Sequence, residues 1–152
     1  MLKAIWILYK FYMRILGLDF GQKTIGVAVS DPFGWTAQGL EIIRRHQETN
    51  LKESIARLDK LIQEYSIEKI ILGYPKNMNN TIGERAEKTV AFKKKLEKTF
   101  NLPVILWDER LSSIGAERTL LEADISRKKR KDILDKMAAV FILQGFLDSC
   151  SK

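Results

Sequence analysis

The chain has a single cysteine and a single histidine, and these scarcities exclude much chemistry before any motif is read. Cys150 has no second thiol in the chain, so it forms no internal disulfide, and its isolation fits a reducing cytoplasm. With His46 alone, zinc sites and Ser-His or Cys-His triads lack partners. Any hydrolysis must therefore rest on carboxylates, hydroxyls or lysines. Long hydrophobic runs are missing as well. Residues 1–12, MLKAIWILYKFY, are too short to span a bilayer, are interrupted by Lys3 and Lys10, and lack the small-residue cleavage site of a signal peptide. They read as an N-terminal extension outside the fold, with Met13 as the functional beginning, a single domain over residues 13–150 and no membrane partner.

What is present is charge. The 152 residues carry 26 Lys and Arg against 19 Asp and Glu, a net charge of +7, and the pI is near 9.5. That balance favours a polyanionic partner, nucleic acid before an anionic membrane, although charge alone equally fits a merely soluble basic surface. A hydrophobic share of 45% is enough for one globular core.

Periodicity along the chain predicts an α/β layer structure. Arg14 to Asp19 is an apolar strand, joined by a tight Phe20-Gly21-Gln22-Lys23 connection to a second strand, Thr24 to Ser30, as an antiparallel hairpin. Gln38 to Arg44 is a third strand. Leu51, Ile55, Leu58, Leu61, Ile62 and Tyr65 then recur at helical spacing, and Asn50 with Glu53 makes a capping box. Lys69 to Gly73 is a buried strand. Thr81 with Glu84 opens a helix to about Phe100 that turns Ile82, Ala86, Val90, Leu96 and Phe100 inward. Val104 to Trp107 is the last strand, followed by helices over about 113–123 and from Asp132 to about Asp148. Three strands in meander, then strands alternating with helices, imply a mixed five-stranded sheet covered on both faces.

Three acidic positions stand out. Asp19 closes an apolar strand between Leu18 and Phe20-Gly21, where an ionised carboxylate is costly unless paired, and Gly21 and Gly26 leave room for a phosphate or metal. The same Asp could simply bond its own hairpin turn. Asp108-Glu109 ends a parallel strand, the edge where ligands of open α/β sheets bind. Alternation aims only one of the pair at a site, with Arg110 left to neutralise the other or to touch a phosphate. Asp135 lies at i, with Ala138, Ala139, Ile142 and Phe146 at i+3, i+4, i+7 and i+11, so it shares a stripe with residues that pack inward. Its plainer role is to satisfy the helix dipole, which Asp132 fits better. If the three acids converge, their repulsion calls for hard divalent cations, Mg²⁺ or Mn²⁺, of the kind that clamp displacement at phosphorus.

Cations accompany them. Arg127, Lys128, Lys129, Arg130 and Lys131 precede the helix carrying Asp135 and read as a flexible loop gripping phosphates at the mouth of the site. The loop from Lys76 to Asn80 could contact sugar or bases, or be only a turn.

From Met13 to about Leu147 the sequence resembles the YqgF (RuvX-like) family, relatives of the RuvC Holliday-junction resolvases. The resemblance is carried by Gly17-Leu18-Asp19-Phe20-Gly21 with Lys23, Gly26 to Asp31, Leu72-Gly73-Tyr74-Pro75 with Asn77-Met78-Asn79, Asp108 to Ser112, and Asp135 to Ala139. It implies a ribonuclease-H-like fold and a Mg²⁺- or Mn²⁺-dependent phosphodiester hydrolase. The substrate it implies is the 5′ end of precursor 16S rRNA in ribosome biogenesis, with the ribosome as a partner. The older alternative is resolution of branched DNA in recombination and repair. Carried over, the catalytic and metal-binding acids are Asp19, Glu109 (with Asp108 as alternative) and Asp135. The nucleic-acid contacts are Lys23, Asn77, Asn79, Arg110, Arg127, Lys128, Lys129, Arg130 and Lys131. The expected state is a cytoplasmic monomer or weak homodimer. Asn80 stands where the family often has Gly. Two other readings compete: a non-catalytic RNA-binding module, and an actin-like phosphate-binding domain, which would need a second copy of the hairpin motif that this chain lacks.

Overall fold

The computed structural model describes residues 13–75, 83–108 and 126–151. Their order is β1 (Arg14–Phe20), β2 (Thr24–Ser30), β3 (Ala37–Arg44), α1 (Lys52–Glu64), β4 (Ile67–Tyr74), α2 (Glu84–Phe100), β5 (Val104–Asp108) and α3 (Arg127–Cys150). The helix expected over 113–123 lies outside the described residues. The strands form one sheet in the order β3-β2-β1-β4-β5, antiparallel from β3 to β1 and parallel from β1 to β5. The expected mixed five-stranded sheet is what forms.

β1 sits centrally and is apolar on both sides because both sides are covered. Leu16, Leu18 and Phe20 enter a large cluster with Leu58 and Leu61 of α1, Phe92 and Leu96 of α2, and Ile70 and Leu72 of β4. Ile15 and Gly17 alternate to the other face, where Ala28, Ile71, Ala139, Ile142, Leu143 and Leu147 form a second cluster under α3.

Three helix starts differ from expectation. The cap position of α1 is Leu51, with no side-chain cap, and Asn50 Oδ1 accepts from the Lys52 amide at 3.3 Å instead. The cap position of α2 is Gly83, which has no side chain to cap with; Thr81 and Ile82 lie outside the described residues. Buried Thr89 and Phe92 join Ala86 and Leu96 on its inner face. The third difference is a correction. The basic run is not a loop, because α3 begins at Arg127 and takes in all five cations. Lys and Arg are good helix formers and no Gly or Pro interrupts them, so the helix propagates through the charges.

Where α3 crosses β1 the two backbones nearly touch. A Cβ built on Gly17 would lie 2.7 Å from Leu143 Cβ and 3.2 Å from the Ala139 carbonyl oxygen. Only glycine fits there. Gln144 then ties α3 to the start of β3: its Oε1 accepts from the Ala37 amide at 2.9 Å, and its Nε2 donates to the Trp35 carbonyl at 3.0 Å. The β2–β3 loop leading into that point is wound around the Asp31 carboxylate. It accepts from the Phe33 amide at 2.7 Å, the Thr36 amide at 2.6 Å and the Thr36 hydroxyl at 2.7 Å. Phe33 and Trp35 stack at 5.3 Å on the exposed side of this loop. No helix among the described residues is long and apolar enough to cross a membrane.

Candidate metal and nucleic-acid site

Asp19 is the sixth residue of β1, and alternation with Leu18 and Phe20 puts it on the α3 face beyond Gly17. Its neighbour across β2 is Gly26. On the other side, extending the Leu18↔Leu72 register by one residue brings it beside Gly73. A half-buried carboxylate thus stands between two glycines, with no side chain on either flank to crowd a ligand.

α3 runs opposite to β1. Its residues 139 and 143 lie over Gly17, while Gln144 reaches Ala37, which pairs with Ser30 beside the beginning of β1. Moving from Ala139 back to residue 135 therefore advances about 6 Å toward the carboxyl end of β1. From Gly17 to Asp19 the strand advances about 6.6 Å the same way. The backbone at position 135 is brought level with Asp19 by that single close approach.

The Asp108-Glu109 pair divides. Trp107 packs with the α3-side cluster, edge-on to Phe146 at 5.9 Å, while Leu106 packs on the other side. Asp108, paired with Tyr74 across β4, accordingly falls on the α1/α2 face, opposite Asp19. Glu109 and Arg110 lie outside the described residues, as do Asn77 and Asn79. Lys23 is exposed in the turn just past Asp19, and Lys129 is exposed in the first turns of α3, beyond the level of residue 135. Arg127, Lys128, Arg130 and Lys131 share those turns. Of the expected acids, Asp19 and Asp108 are the ones whose side chains are described, and among the described residues no group of three or more His, Cys, Asp or Glu could hold a metal ion.

Two residues absent from the sequence-based expectation shape the turn behind Asp19. Arg45 is buried, 8% exposed, and its Nη2 donates to the carbonyls of Gly21 at 2.7 Å and Gln22 at 2.8 Å. Its Nε donates to the Glu48 carbonyl at 3.2 Å. Arg85, in the first turn of α2, donates through Nη2 to the Phe20 carbonyl. Both guanidinium carbons lie over the Phe20 ring, at 4.9 and 5.6 Å from its centroid. The remaining Nη1 of each is buried without a hydrogen-bond partner among the described residues, a state that costs on the order of 1–3 kcal/mol per unpaired group. Burial, then the nearby Arg85 charge, pull the Arg45 guanidinium below its ordinary pKa against the opposing pull of Glu48. Glu48 is itself engaged by Lys88 at 2.6 Å. A cation in the first turn of a helix, where the dipole disfavours it, was the one sequence signal that marked Arg85; nothing in the sequence marked Arg45.

The sequence profile described as "RuvX: Holliday junction resolvase" matches residues 13–149. A Bacillus subtilis protein, provisionally named a pre-16S rRNA nuclease, is 58% identical over 137 residues, covering 90% of this chain and 99% of its own. A Desulforamulus reducens protein of the same name is 56% identical over 140 residues, covering 92% and 100%. Among solved structures, Thermus thermophilus RuvC in complex with a Holliday junction superposes with a TM-score of 0.53 at 15% identity, over 91% of this chain and 96% of that one. Fowlpox virus resolvase with its junction DNA gives 0.54 at 18% identity, over 92% and 100%. These two likenesses bear on the fold, which is ribonuclease-H-like. The sequence match over nearly the whole chain bears on kinship: this protein is a member of the RuvX (YqgF) family.

Proposed function

We propose that this protein is a cytoplasmic metal-dependent nuclease that hydrolyses phosphodiester bonds at the 5′ end of precursor 16S rRNA, during ribosome biogenesis. The observation that carries the reading is the contact at Gly17, which brings position 135 of α3 level with Asp19 at the carboxyl end of the sheet. The names of the relatives supply the substrate, and the +7 charge suits it.

In this reading Asp19, Glu109 and Asp135 hold Mg²⁺ or Mn²⁺. Glu109 is preferred to Asp108 because Asp108 falls on the face opposite Asp19. Carboxylate oxygens are the donors hard cations take, and no histidine is needed. A divalent cation bound there supplies positive charge against the charge that develops at phosphorus. Flanking glycines let the sugar-phosphate chain approach Asp19 closely. Lys23 and the cations of residues 127–131 hold neighbouring phosphates, with Arg110, Asn77 and Asn79 as further contacts.

The test uses the full chain with precursor 16S rRNA and with a four-way DNA junction, with and without Mg²⁺. Asp19→Asn should lower cleavage on the order of 10³-fold while nucleic-acid binding survives. Undiminished cleavage by that variant refutes the site. Glu109→Gln should act like Asp19→Asn, and Asp108→Asn should retain most activity.

The family's own description favours a second reading, resolution of branched DNA. It needs two active sites on one junction, hence a dimer rather than a monomer. Cleavage of the four-way junction in preference to RNA, with a dimer in sedimentation, would select it.

A further inference from the structure

Beside the acidic site lies a feature the nuclease reading has not used. At the Phe20–Thr24 turn, two guanidinium groups converge on one aromatic ring, each spending one nitrogen on the turn's carbonyls and keeping another buried and, among the described residues, unpaired. Arg45 contributes its unpaired Nη1 from a side chain more than nine-tenths buried. Burial first, and then the like charge of Arg85, hold Arg45 below its ordinary basicity. Glu48 and Glu84 are the adjacent carboxylates, and Lys88 engages both, at 2.6 and 3.1 Å. Lys23 and Arg44 add two more exposed cations at the same end of the hairpin.

A fork of two arginines with free N–H groups, little compensating negative charge and a helix N-terminus alongside has the chemistry that recognises a tetrahedral oxyanion. Arg85 as a residue is only half-buried, so a ligand reaches the pair from its side by displacing the atoms that enclose the two Nη1 groups. A separate cleft of about 290 Å³ opens on the same Phe20 ring, with Lys88, Lys95 and Glu48 in its wall and neither arginine lining it.

We propose that Arg45 and Arg85 form a phosphate-binding site, distinct from the carboxylates, that takes a backbone phosphate neighbouring the one presented to Asp19. The site accounts for both orphaned nitrogens at once. Since their other nitrogens hold the carbonyls of Phe20, Gly21 and Gln22, a phosphate seated there is fixed relative to the residue that follows Asp19. The identity of the ligand as nucleic acid rests on the nuclease reading; the existence of the anion site does not.

The experiment separates the two. Full-length protein without metal or nucleic acid is titrated with inorganic phosphate at constant ionic strength, and binding is followed calorimetrically. Wild type should bind saturably, Arg85→Gln about tenfold more weakly, and Arg85→Lys in between because it keeps the charge and loses the fork. Lys60→Gln, on exposed α1, should match wild type. Arg45→Gln is a secondary variant, since removing a buried clamp can unfold the turn; Arg85→Gln carries the test if it does. The salt dependence of RNA binding is then measured, and Arg85→Gln should flatten the log–log slope by about 0.7–0.9, one phosphate's worth. Equal phosphate binding by wild type and Arg85→Gln, or none by either, overturns the proposal and leaves the arginines as a clamp on the turn. Phosphate binding that depends on Arg85 with an unchanged salt slope supports the anion site and refutes its assignment to the nucleic-acid backbone.

Discussion

The two faces of the sheet are built on opposite principles. The α1/α2 face is filled by large side chains, Leu16, Leu18, Phe20, Leu58, Leu61, Ile70, Leu72 and Phe92, which fix the helices by bulk. The α3 face is emptied where it matters, with Gly17, Ala28 and Ala139 letting helix and strand approach, and Gln144 pinning the helix by hydrogen bonds. Bulk sets stability. Close approach sets position, which is what a cluster of carboxylates needs. The lesson is that stability and the proposed site fall on different sides of one strand, β1.

Substitutions on each face test that division. The largest stability effect should come from Leu58→Ala, which leaves a cavity against the sheet and costs about 2–5 kcal/mol. Denaturant melts should show that loss, while cleavage per folded molecule stays near wild type. A matching loss of cleavage would mean the faces are not separable. Gly17→Ala should cost less stability, about 1–3 kcal/mol from overpacking against Leu143 and Ala139. Its cleavage should nevertheless fall by about tenfold or more, because a helix pushed away carries position 135 with it. Gln144→Ala removes the partner of the Ala37 amide and should destabilise by about 1 kcal/mol, with a smaller loss of cleavage. The smallest effect is a pH dependence at the loop Gln144 grips. Burial alone would raise the Asp31 carboxyl pKa, yet hydrogen bonds from Thr36, Trp35 and Phe33 lower it from 3.8 to about 2. A depressed folded-state value means the carboxylate stabilises the fold above about pH 4, and that contribution drains away as pH falls toward 2. Melting temperature measured across that window should fall more steeply for wild type than for Asp31→Asn.

Much of this architecture was legible in the sequence because it is written in local pattern. The β2 strand runs from Thr24 to Ser30 as periodicity predicts, and Leu51, Ile55, Leu58, Leu61, Ile62 and Tyr65 do line the inner face of α1. Alternation past Trp107 forecast that only one acid of the 108–109 pair could face Asp19, and Asp108 falls on the other side. What stayed hidden depends on partners distant in the chain. Nothing in HQET-flanked Arg45 indicates that its guanidinium reaches the Gly21 and Gln22 carbonyls. The start of α3 at Arg127 is hidden for a different reason. Charge without apolar anchors looks like a solvated loop, yet helix propensity carries through it when the following turns are packed.

Gly17 touches α3 near its residue 141, with about six residues, some 9 Å, between that point and either position 135 or Leu147. The contact therefore works as a fulcrum under a beam with arms of similar length. Gln144 grips one arm about three residues, some 4.5 Å, from that point, so a tilt that lifts the helix there lowers position 135 by about twice as much, and the reverse. The loop of the stacked Phe33 and Trp35, at the opposite pole of the sheet from Asp19, thus grips one arm of that lever part-way along, while the other arm ends at position 135.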